Sequence, residues 1–172
     1  KVEAGFKARL LVPPGQLYDP LWMLTHGQRV WLNDDGGEER DKGSRLLTLS
    51  KEGEVSVLVG LGRLLPVVGF DFAPQSFGKF GGQIFTLAQA KVALEGAIAN
   101  HIIQRIDQDY KASVFCELSG IGEKMFSGFG VEARFGPEGS PFAGRFFAVT
   151  AYNNTIYQVT PDRQAKPFVT FD

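Results

Sequence analysis

Sulfur and imidazole are scarce in this chain of 172 residues, which holds one cysteine and two histidines. A single cysteine excludes an intramolecular disulfide and a cysteine-built zinc site. Cys116 stands in the apolar run Val114-Phe115-Cys116, where a thiol serves as a small buried hydrophobe. Neither His26 nor His101 has a catalytic partner close in sequence. No apolar stretch approaches the roughly 18–20 residues of a membrane-spanning helix. Charge of one sign is missing too: 18 Lys and Arg face 19 Asp and Glu, for a net charge of −1. Nucleic-acid binding needs a concentrated positive field, so no nucleic-acid partner is expected. There is no Gly-x-Ser-x-Gly elbow, no Walker loop and no strand-to-helix Gly-x-Gly-x-x-Gly. The start at Lys1 without a methionine fits a processed secreted or periplasmic protein, or an excised piece.

What the chain has instead is 21 glycines and 15 phenylalanines, the turns and aromatic packing residues of an all-β protein. Their order carries a weak internal repeat. Residues 46–59 return as 102–116 and again as 155–170. Each copy is an alternating apolar strand, a polar Asp/Glu/Gly/Pro turn and a second short strand. The spacing of about 55 residues is that of propeller blades or a similar array. Extending each copy backwards adds two strands. In the second unit these are 67–74 and 83–87, joined by the Gly-rich connector 75–82. In the third they are 131–137 and 145–150, and in the first 19–24 and 29–33. Each unit then holds four short strands, A to D, as a blade does.

The run Gly5 to Pro14 resembles a D strand with no A, B or C before it. The expected fold is therefore an all-β propeller segment: three four-stranded antiparallel blades at about 15–60, 64–118 and 129–172, plus an extra outer strand at 5–13. A closed ring needs at least four blades, so three blades are expected to be half of a six-bladed ring. Such a segment leaves apolar patches on its first and third units. A companion is expected: a second copy, the missing half of the propeller as a separate chain, or residues outside this sequence.

Long connections join strands B and C at 34–44 and 89–100, and D to A at 119–128. All emerge on one face of the disc, where binding is expected. Asp35, His101, Tyr152 and Asn154 lie on that face, which suits a small-molecule or carbohydrate-like ligand. The run Asn33-Asp34-Asp35-Gly36-Gly37 is the richest oxygen cluster. It can hold a hard cation such as Ca²⁺, or cap its own turn through side-chain bonds to backbone amides.

Three stretches carry a family likeness: Asp19-Pro20-Leu21-Trp22 with Val30-Trp31-Leu32-Asn33-Asp34, the run 77–85, and Tyr152-Asn153-Asn154-Thr155-Ile156-Tyr157. They resemble the six-bladed propellers of the NHL-repeat and gluconolactonase-like superfamily, which includes senescence marker protein and strictosidine synthase-like members. The resemblance implies a divalent cation in the channel, with Asp19, Asn33, Asp34 and Asn153 as its oxygen ligands. Two functions are compatible with it. One is a binding or scaffold propeller that uses its B–C face. The other is a metal-dependent hydrolase of lactone-type substrates, in which metal-bound water attacks the carbonyl.

Overall fold

The computed structural model describes residues 10–37, 42–89, 101–118, 132–150 and 155–171. Among them, twelve strands pair into three four-stranded antiparallel sheets, each a meander in sequence order. The first comprises β1 (Asp19–His26), β2 (Arg29–Asp35), β3 (Ser44–Leu49) and β4 (Val55–Val59). The second comprises β5 (Val67–Phe72), β6 (Ile84–Gln89), β7 (His101–Ile106) and β8 (Ala112–Glu117). The third comprises β9 (Ala133–Phe135), β10 (Phe146–Thr150), β11 (Thr155–Val159) and β12 (Ala165–Thr170). The chain is thus all-β and propeller-like, as its alternating strands predict.

The hairpin repeat is a repeat in geometry. The third and fourth strands of every sheet slip by one residue at matching points: Leu46/Leu47, Ile103/Gln104 and Ile156/Tyr157. Their turns match as well. Gly53, Tyr110 and Arg163 all take positive φ, and their amides donate to Ser50, Asp107 and Thr160 carbonyls at 3.0–3.1 Å. Tyr110 and Arg163 tolerate the left-handed region at modest cost, but Gly53 has no alternative. A Cβ there would stand 2.1 Å from the Leu11 carbonyl oxygen. Gly53→Ala is expected to cost about 2 kcal/mol, whereas Tyr110→Gly in the same slot stays within about 1 kcal/mol. Urea-unfolding midpoints of the two variants check this.

The sheets stack face to face, each turning a forward face to the next and a rear face to the previous one. Leu46 and Val59 on the first sheet meet Val67, Phe70, Ile84 and Ile106 on the second. Phe85, Leu87, Ile103, Phe115 and Cys116 on the second meet Ala133, Phe135, Phe146, Ala148, Tyr157 and Val159 on the third. The innermost strands converge: Gly69 of β5 lies so close to β9 that a Cβ would be 3.3 Å from the Ala133 amide. The Arg134 guanidinium of β9 lies 4.6 Å from the Trp22 ring of β1, as expected of wedges curving about one axis.

Two details depart from the sequence reading. The connector 75–82 contains a 3₁₀ segment, Gln75–Phe80, broken at Gly78, that buries Phe77 and Phe80. These rings meet Phe135 and Phe115 edge-on, at 4.9 and 5.1 Å. Of the extra outer strand expected at 5–13, residues 5–9 lie outside the described residues and 10–13 join no ladder. Val12 instead lies with Leu17 on the rear face of the first sheet, against Leu32, Leu47 and Leu49.

Candidate functional site

Successive side chains of a strand point to opposite faces, and this decides how the oxygen cluster of β2 is used. Asp19, Asn33, Asp34 and Asp35 are neighbours in one ladder, with Asp19 opposite Asp35 and Pro20 opposite Asp34. Asp34 turns to the rear, fully buried. Its carboxylate accepts from the Tyr18 and Asp19 amides at 3.0 and 2.7 Å and from Arg45 Nε at 3.0 Å. Arg45 Nη2 closes a second contact to the same carboxylate and donates to the Gln16 carbonyl at 3.2 Å. The guanidinium stacks 4.1 Å from the Tyr18 ring. Asp34 therefore fastens the chain entering β1, its charge matched by an arginine.

Asn33 turns forward, buried between the first two sheets, and its Nδ2 donates to the Val67 carbonyl at 3.0 Å. The Val67 amide in turn donates to Ser44 Oγ at 2.9 Å. Side chains of the first sheet thus tie down the start of β5. Asp71 does the same for β9, accepting from the Phe135 amide at 2.9 Å. Asp35 accepts from the Gly36 amide at 2.9 Å, and Asp19 is exposed. Asn33 and Asp34 thus face opposite sides of one sheet, so the described members of the expected ligand set do not converge on one cation. Among the described residues, no three His, Cys, Asp or Glu side chains gather into a metal-holding group. Tyr152, Asn153 and Asn154 lie outside the described residues.

His101 begins β7 and is fully buried, and neither ring nitrogen meets a partner among the described residues. Desolvation pushes its pKa below the ordinary 6.5, because burial penalises the charged ring. The unfolded chain binds more protons there, so the stability due to the neutral ring is full above about 6.5 and is lost as pH falls towards the folded-state value. His101→Phe is expected to flatten the rise in urea midpoint between about pH 5 and 7; an unchanged slope would contradict this reading. Burial also pushes the Cys116 thiol up to about 12, which leaves it un-ionised and unreactive at neutral pH.

A larger feature lies on the forward face of the third sheet. The matched register slips make Phe147 the counterpart of Trp31 and Phe85, and Val149 that of Asn33 and Leu87. Ile156 likewise corresponds to Leu46 and Ile103, and Val169 to Val59 and Cys116. The second-sheet counterparts are buried to 9% exposure or less. On the third sheet Val149, Phe168 and Val169 are 37%, 41% and 36% exposed. Phe142, Phe147 and Phe168 stack edge to face at 5.1–6.1 Å and line a groove of about 320 Å³ with Val149, Ile156 and Arg134. No protein-family model matches this chain, and no curated protein matches it. Among the described residues, no helix is long and apolar enough to cross a membrane.

Proposed function

We propose that this chain is a propeller-type binding or scaffold module whose contact surface is the forward face of the third sheet, and that this face docks a second copy of the chain. The observation that carries the proposal is the equivalence of Phe147, Val149, Ile156 and Val169 to residues that are sheet-covered at both interfaces within the chain. A contiguous apolar patch of this kind is costly in water and marks an interaction site. The loop face expected to hold a ligand supports a site less well, since His101 is buried and Asp35 bonds its own loop. A metal-dependent hydrolase is also less well supported, because Arg45 and two amides engage Asp34.

Sedimentation velocity of the whole chain tests this. The mass is expected to rise with concentration from 18.8 kDa towards twice that value. A species that stays at the single-chain mass at about 100 µM, a concentration where a Kd of micromolar strength would be saturated, would overturn the proposal.

A further inference from the structure

We infer that the second copy docks through the rear face of its first sheet, so that two three-sheet chains close one six-sheet ring about a two-fold axis. This rests on the proposed docking role of the third sheet. Both interfaces inside the chain join a forward face to a rear face. The described chain has one forward face without a sheet on it, that of the third, and one such rear face, that of the first. Each is the complement the other lacks. Repeating the same step between copies gives two identical seams, which a two-fold axis requires, and six blades lie within the range that closes a propeller.

The rear face of the first sheet is prepared for such a neighbour. Met23, Leu32, Leu47 and Val57 form one cross-strand row. The centre of the row is buried, and its ends, Met23 and Val57, are 67% and 54% exposed. Residues 10–17 supply only part of a cover. Val12 and Leu17 stand eight and three residues before Pro20, as Val59 and Leu64 stand before Val67. Pro20 and Val67 occupy the same place, just ahead of the slip in their sheets. Leu64 packs between the first two sheets, and Leu17 packs on the rear face in the same manner. Leu17 therefore keeps its place in the closed ring. Val12 holds the position that Val169 of an incoming third sheet would take, so residues 10–12 yield to β12 there. Met23 and Val57, at the two ends of the row, are the positions left open to the incoming sheet.

The test uses two variants of this chain, Met23→Asp on the first sheet and Phe147→Asp on the third, alone and mixed, in sedimentation velocity. Each alone is expected to weaken association at least about tenfold, since a carboxylate buried without a partner is strongly disfavoured. An equimolar mixture regains dimer, because the Phe147→Asp chain offers an intact first sheet and the Met23→Asp chain an intact third. Association lost with Phe147→Asp but untouched by Met23→Asp would overturn the ring while leaving the third-sheet proposal standing. No gain on mixing would also overturn the ring. Association unaffected by Phe147→Asp would remove both.

Discussion

Asp34→Ala is expected to cost about 3–5 kcal/mol of folding stability, the usual penalty for breaking a buried ion pair by removing one partner. The carboxylate is fully buried and accepts from two amides and from Arg45, whose side chain is 13% exposed. Its removal leaves the guanidinium and two backbone donors of the chain entering β1 without their acceptor, each an unsatisfied group with its own desolvation cost. A second variant separates this loss from simple cavity formation. Asp34→Leu combined with Arg45→Met removes both charges at once, and replacing a buried pair by apolar groups is close to neutral. The double variant should therefore recover the part of the loss due to the stranded guanidinium in urea unfolding, while the Tyr18 and Asp19 amides stay without their acceptor. A loss under about 1 kcal/mol for Asp34→Ala would return the carboxylate to the cation-ligand role that the family resemblance implies.

Phe147→Asp is expected to weaken self-association about a hundredfold, near the size of effect found at the centre of well-packed interfaces, with little loss of fold stability. Phe85 occupies the corresponding position one sheet earlier, where it is fully buried against the third sheet and stacks 4.9 Å from Phe115. Phe85→Asp would bury a charge without a partner and unfold the chain. The same substitution at two equivalent positions thus gives opposite results, one on assembly and one on folding. If Phe147→Asp destabilised the isolated chain as strongly as Phe85→Asp, the third sheet would already be covered within the chain, and the docking role would fail.

Most of the architecture was legible in the sequence, because half-buried strands write themselves as period-2 alternation and hairpins as short polar turns. The turn residues 50–54, 107–111 and 160–164 show this, since their shared hydrogen bonds follow from a Ser, Asp or Thr at the head and a left-handed residue near the end. Segment Gln75–Phe80 was not legible: its glycines describe a loop, and only tertiary burial of Phe77 and Phe80 draws it into a 3₁₀ turn. The outer strand expected at 5–13 resembles the D strands of the three units, yet its described residues, 10–13, join no ladder.

The candidate site was less legible. Composition made Asn33-Asp34-Asp35 an oxygen cluster, although consecutive strand residues face opposite ways, and that signal alone separates Asn33 from Asp34. The partner of Asp34 is Arg45, brought across the β2–β3 ladder, and no local pattern announces such a pair. The open face had the reverse problem. Phe147 and Phe85 read alike along the chain, and only the stacking order shows which one lacks a neighbour.

Hydroxyl-radical footprinting of the whole chain at low and high concentration tests the central claim most directly. Phe85 and Phe146, buried between the second and third sheets, should resist labelling throughout. Phe142, Phe147 and Phe168 should label readily in dilute solution and become protected as concentration rises. Equal labelling of Phe147 at every concentration, or labelling of Phe85 as strong as that of Phe147, would contradict the stacked-sheet account and its open third face.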